Sequence, residues 1–326
     1  MAAQSATFGT NAGTEWELFL RTYGGVALSA FLEKTVMSDK VRTRRISDSK
    51  SAVFPQIGTA SASYHQQGQN LLEDGSYESN PFSGEQTVYL DNILISTILV
   101  SDIDELLSYH DVRVPYAQNQ AHALARQLDL DLMKVCVSGS EDAAIAGYSK
   151  VGSKVVDADF ESGTVADALT TIRDCAKTMD LANVPQEGRH MILGPTQYHR
   201  LRTDETVAST DYNANTGGDV GTGQWLQYAG FKIHMSALAE DSTETTGFRI
   251  NHEGAITGKK NGDYQIDCAD TKAVFFQESG IGHVRGMDLA VEAEHHQLYQ
   301  GTVLTARMVC GSAVLRPEAC GSIQAA

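Results

Sequence analysis

The feature that most constrains this chain is one long apolar stripe that starts just after Pro115. Ala117, Ala121, Leu124, Leu128, Leu132 and Val135 recur at three- and four-residue spacing, and Leu130, Met133 and Val137 widen the face. That period places all of them on one side of an α-helix. Pro115 suits a first turn and Gly139 a stop. The spacing therefore predicts a rod over Pro115–Ser138, roughly 33–36 Å long. A second helix follows the capping signal Thr164-x-x-Asp167 and runs through Val165, Ala168, Leu169, Ile172, Cys175, Ala176 and Met179.

Around these helices the pattern is mixed, which makes the chain α+β. Ile93–Val100, Met191–Leu193 and Phe231–Met235 read as buried strands, and residues 273–277, 287–293 and 302–310 as further strands. Asp102 and Asp104 can cap a short helix over Ile103–Tyr109, and Pro195–Leu201 reads as another. Thr216–Gly223 and Glu240–Thr246 are loops, and no internal repeat is present.

The N-terminal region has a different character. Residues 1–14 are small and polar and read as a mobile arm. From Glu15 to Val36, the apolar positions Trp16, Phe19, Leu20, Tyr23, Ala27, Ala30 and Phe31 predict an amphipathic helix, weakened by Gly24-Gly25. Its stripe must be buried against later parts of the chain or against a neighbouring subunit.

Lys34–Lys50 then carries six basic and two acidic side chains, a net of +4, and reads as a basic loop. Pro55–Val100 has no Lys or Arg but holds Glu73, Asp74, Glu78, Glu85 and Asp91. Adjacent segments of opposite sign suggest charges that meet, within or between chains. Val53–Ile57 and Thr87–Leu90 form the two arms of a long hairpin. The polar stretch between them cannot bury itself and reads as a protrusion that needs a partner.

Composition excludes several classes of function. A net charge of −16 over 326 residues would repel a phosphate backbone, so holding nucleic acid is not the main task. The same acidity suits a wall that must not adsorb DNA. The longest apolar run is too short to span a bilayer, and Met1–Ser5 lacks the start of a signal peptide, which implies folding in the cytosol. Five scattered cysteines without a Cys-x-x-Cys read as buried apolar side chains rather than disulfides or a zinc site.

Catalytic patterns are weak. Gly280–Gly286 spaces its glycines wrongly for a dinucleotide site, Gly217–Gly223 lacks a P-loop lysine, and His252-Glu253 lacks a second histidine. One cluster could hold a metal: Asp288, Glu292, Glu294, His295 and His296. On a strand, all but His295 would share one face, which the polar side of a half-exposed strand would equally produce. No catalytic, cofactor-binding or metal-binding residue is therefore assigned.

Several short motifs, in order along the chain, carry a resemblance. They are Phe19-Leu20-Arg21-Thr22, Leu28-Ser29-Ala30-Phe31, Ser49-Lys50-Ser51-Ala52 with Phe54-Pro55, and Tyr109-His110-Asp111-Val112-Arg113. Asp288-Leu289-Ala290 and Leu315-Arg316-Pro317-Glu318-Ala319 with Gly321 complete the set. On these the chain resembles the major capsid proteins of T7-like short-tailed phages, which have the HK97-type capsid fold.

The resemblance implies an N-terminal arm over 1–50, an extended E-loop over 51–91 and a peripheral (P) domain with its spine helix over 92–160. An axial (A) domain over 161–280 and a return to the P domain over 281–326 would follow. It also implies hexamers and pentamers closing into an icosahedral head around double-stranded DNA, made in the host cytoplasm with a scaffolding protein and a portal. The E-loop would lie on an adjacent subunit. The assembly candidates are Arg42, Arg44 and Arg45, facing Glu73, Asp74 or Glu78 of another chain. Some relatives bond an E-loop lysine to a neighbour's asparagine; with no lysine past Lys50 in the hairpin, that bond is not expected. A metal-dependent enzyme built on Asp288–His296 and a cellular encapsulating compartment of the same fold are the rival readings.

Overall fold

The computed structural model describes residues 26–31, 35–101 apart from 59, 61, 66 and 69–82, 113–141, 151–202 apart from 158, 226–239, and 260–324 apart from 265, 267 and 269. The strands are β1 (Arg42–Arg45), β2 (Ser51–Ile57), β3 (Ser83–Tyr89), β4 (Leu94–Ser101), β5 (Ser153–Val156), β6 (Arg189–Leu193), β7 (Leu226–Tyr228), β8 (Phe231–Met235), β9 (Thr271–Gln277), β10 (Ile281–His296), β11 (Gly301–Val314) and β12 (Cys320–Gln324). The main helices are α1 (Arg113–Glu141), α2 (Val165–Leu181) and α3 (Pro195–Arg202).

The predicted rod is α1. It has 29 residues, which is about 43 Å of helix. It does not stop at Gly139. A Cβ there would lie 3.0 Å from the Cys320 Cβ and 3.1 Å from Val314 Cγ1. The glycine permits close approach to β11 and β12, so the helix continues past it. Every residue from Leu128 to Val137 is buried, because this half of α1 is enclosed by both large sheets.

One of those sheets has the order β1-β10-β11-β4, the other β5-β12-β9-β6-β8-β7, and β2-β3 is a separate hairpin. The main core joins α1 (Leu124, Leu128, Leu132, Met133) to Leu304, Ala306 and Met308 of β11 and to Val274 and Phe276 of β9. A second core lies on the far side of the six-stranded sheet. There Ile172, Cys175 and Met179 of α2 pack on Met191, Leu193, Phe231 and Phe275. β6 and β9 thus serve both cores with alternate side chains. The expected capping box is present: Thr164 accepts from the Asp167 amide, and the Asp167 carboxylate takes the Thr164 amide at 2.7 Å. The Thr164 hydroxyl, donating to the same carboxylate at 2.6 Å, and the Thr164 amide hold the Asp167 carboxyl below the usual range.

The sequence expectations are corrected at several points. The strand expected to be buried at Ile93–Val100 is half-exposed: Ile95 and Leu99 are 52% and 51% accessible, and only Val100 of β4 is buried. β4 lies at a sheet edge with one face on α1, so its side chains alternate. Part of the basic loop is a strand, because Arg42–Arg45 pairs in parallel with Gly282–Arg285. The Gly280–Gly286 segment lies largely within β10, which settles its structural role. The short strands β5, β7 and β12 lie outside the segments whose pattern predicts strand. Ala27, Ala30 and Phe31, in the helical stretch 26–31, pack into the main core of this same chain. The expected helix does not reach Val36, whose amide turns to a side chain of α1. The expected short helix at 103–109 and the loops at 216–223 and 240–246 lie outside the described residues, as do residues 1–14.

A Gly139→Leu variant should lower stability by about 1–3 kcal/mol through overpacking against Cys320 and Val314. Chemical denaturation followed by far-UV circular dichroism would measure this, and an unchanged midpoint would contradict the close packing.

Candidate assembly surfaces

Among the described residues, the β2-β3 hairpin is anchored at its root. Ala52, Phe54 and Val88 meet Val284, Ala313 and Leu315 in a small third core. Gln56 Nε2 donates to the Leu315 carbonyl at 2.5 Å. Asn261 clamps the end of β3 with its side-chain amide: it accepts from the Tyr89 N–H at 3.0 Å and donates to the Tyr89 carbonyl at 2.8 Å. One side chain thus does what a paired strand would do for both polar groups. The next contacts continue the mooring, with Asp91 Oδ1 accepting from the Lys260 amide at 2.7 Å and the Asp91 N–H donating to the Cys310 carbonyl. On the opposite face of the hairpin, Val53, Ile57 and Tyr89 are 39%, 64% and 48% accessible.

The three candidate arginines project from β1 beside this root. Arg42 stacks over the Phe54 ring at 5.7 Å, and Arg44 Nη1 donates to the Val53 carbonyl at 3.0 Å. Arg45 points the other way and pairs with Asp288 at 3.0 Å. Both side chains of that pair are well exposed, so it adds at most about 1 kcal/mol. Two of the three arginines therefore touch their own chain's hairpin. Glu73, Asp74 and Glu78, the expected acidic partners, lie outside the described residues.

The suspected metal cluster is dispersed. Asp288 sits in a stretch of β10 where the register to β11 slips twice, between Arg285 and Met287 and between Met287 and Ala290. The slips break the alternation that would have aligned Asp288 with Glu292. Asp288 turns to Arg45 on β1, whereas Glu292 pairs with Arg307 on β11. Each carboxylate is engaged by a guanidinium on a different neighbouring strand. Among the described residues, no group of three or more side chains could hold a metal ion.

Sequence reasoning also missed a buried acid. Asp129 lies on α1 between the buried faces of Ala125 and Met133, and it accepts from the Val36 amide at 2.8 Å and the Met37 amide at 3.1 Å. Burial raises its carboxyl to about 6, against the opposing pull of those two hydrogen bonds and of Lys40. An aspartate at helical spacing from two core residues was the readable signal.

A family described as Gp10A-like, major capsid protein, matches residues 53–324. The chain belongs to this family of phage major capsid proteins. The major capsid protein of Escherichia phage T7 is 26% identical over 96% of this chain and 93% of its own length. That of Enterobacteria phage T3 is 26% identical over 97% and 93%. Among solved structures, the capsid of cyanophage P-SCSP1u aligns with a TM-score of 0.72 at 28% identity, covering 90% of this chain and 88% of that one. The mature capsid of bacteriophage PhiM1 aligns at 0.66 and 13% identity, over 89% and 87%, and shares the fold. The fold is therefore the HK97-like one of phage capsids, and this capsid protein has a structural role in the virion shell, built from many copies. The metal-enzyme reading is not favoured.

Replacing Asn261 with Ala removes both hydrogen bonds to Tyr89. Water can reach this half-exposed strand end, so the expected cost is about 1 kcal/mol. Amide hydrogen exchange should speed up at Tyr89 while α1 remains protected.

Proposed function

We propose that this capsid protein forms hexamers and pentamers that close into an icosahedral head around double-stranded DNA. The observation that carries the reading is the β2-β3 hairpin, moored by a small core at its root while its outer apolar face is open. An element built this way gains its remaining burial from another copy. On this reading residues 1–50 are the N-terminal arm, 51–91 the E-loop, 92–160 and 281–326 the P domain, and 161–280 the A domain. The acidic chain, at −16, suits a wall that leaves packaged DNA unadsorbed. Assembly takes place in the host cytoplasm with a scaffolding protein and a portal, and the protein itself performs no catalysis.

Electron microscopy of the purified protein tests the central claim. Capsomers and large closed particles are expected, whereas a small discrete oligomer carrying stoichiometric metal would overturn it. The shell is held without a covalent bond from a hairpin lysine, so mature particles boiled in detergent should run as monomers on a gel. A ladder of linked subunits would refute this.

Arg42, Arg44 and Arg45 are proposed to set register against Glu73, Asp74 or Glu78 of an adjoining chain. Reversing all three arginines to glutamate should abolish closed shells while far-UV circular dichroism stays native. Normal shells from the R42E/R44E/R45E variant would eliminate the pairing.

A further inference from the structure

We propose that Asp129 is a proton-operated catch by which helix α1 holds the chain segment around Val36–Lys40. The geometry is that of a two-point grip. Two successive backbone amides, Val36 and Met37, donate to the two oxygens of one carboxylate that comes from more than ninety residues away. Asp129 is 1% exposed and Met37 fully buried, so water is kept from the Met37 bond, while Val36 is half-buried.

The segment is built to present those amides. The Lys40 N–H donates to the Met37 carbonyl at 2.9 Å, which closes a turn, and the Lys40 ammonium folds back on the Val36 carbonyl. On the far side, Arg285 of β10 donates to the Ser38 hydroxyl. Val36 and Met37 are thus gripped from α1, while Ser38 is tied to the four-stranded sheet.

Two charged groups act directly on the carboxylate. Lys40 favours its ionised form and Asp39 opposes it, and both belong to the gripped segment. Lys232 of β8 acts on Lys40. His190 and His234, on neighbouring strands 3.1 Å apart, feel Lys40 and Lys232 and are held towards the neutral form chiefly by burial. The ionised carboxylate offers both oxygens to the two amides. Once protonated, it presents one good acceptor and one hydroxyl, and it no longer attracts Lys40. One amide bond is then lost or weakened.

The sign follows from the raised carboxyl. It titrates near 6 in the fold, against 3.8 for an ordinary aspartate. The folded chain therefore binds the extra proton in the window between those values, and global stability gains as pH falls through it. The local grip changes in the opposite sense: the two amide bonds pull the carboxyl down, so their release while Asp129 stays enclosed raises it further, and the proton favours the released segment. Acid thus loosens this segment without unfolding the chain, which distinguishes a catch from a general stabilising contact.

Residue-resolved hydrogen exchange at Val36 and Met37 tests this, corrected for intrinsic pH dependence, on both assembled particles and unassembled protein. Protection should fall through one titration near pH 6. An Asp129→Asn variant should exchange at least about tenfold faster at neutral pH, the loss of one charge-assisted bond, and show no titration. Lys40→Met should move the midpoint to higher pH and Asp39→Asn to lower pH. If D129N does not fold, the wild-type titration and these two opposite shifts decide. Protection that is independent of pH, or retained in D129N, would overturn the proposal.

Discussion

Everything in this fold depends on the enclosure of the second half of α1. From Leu128 to Val137 the helix has no exposed face, because the four-stranded sheet covers one side and β9, β12 and the N-terminal segment cover the rest. A helix apolar on one stripe needs one partner layer; a helix buried all round needs two. α1 thus ties together parts of the sequence that are far apart. The polar groups that come with it must find partners indoors. Asp129 takes two backbone amides, and Gln120 Nε2 donates to the Ser96 and Leu304 carbonyls of β4 and β11.

The hairpin follows a different logic. Its root is specified by side chains from several places: Phe54 in the third core, Gln56 on Leu315, and Asn261 on Tyr89. Arg42 and Arg44 brace the same root from β1. The direction in which the hairpin leaves the body is therefore set by the chain itself. Its outer face has apolar side chains and few bonds, the composition of a surface finished by contact. β4 adds a second such surface, an eight-residue edge strand without a charge or a proline, lacking the usual guards against edge pairing.

Much of this was legible in the sequence, for physical reasons. α1, α2 with its capping box, β6, β8 and the β2-β3 hairpin carry strong local periods, and local periods survive the absence of tertiary information. What failed was nonlocal. Gly139 has the identity of a helix stop, but its role is set by Cys320, 181 residues later. β5 and β12 are too short for a period and exist because each pairs with a strand remote in sequence. The carboxylates near Asp288 formed a cluster only under ideal alternation, which the two register slips remove. The charge of Arg42–Arg45 was readable, whereas its parallel pairing with β10 was not. The family resemblance supplied the architecture, and it was carried by motifs lying on either side of Thr203–Asp270.

The position of β12 has a consequence for how the chain reaches this state. Residues 320–324 lie between β5 and β9, inside the six-stranded sheet, and β12 is buried along its whole length. β5, formed from residues 168 positions earlier, has no other strand beside it in that sheet among the described residues. During synthesis, which proceeds from the N-terminus, the two parts of the sheet therefore stay unjoined until residues 320–324 emerge. Cys320, through its contact with Gly139, also completes the seat of α1. A nascent chain that still lacks residues 320–324 thus lacks a finished core. Vectorial synthesis in this way makes the placing of β5 wait on a strand made far downstream of it.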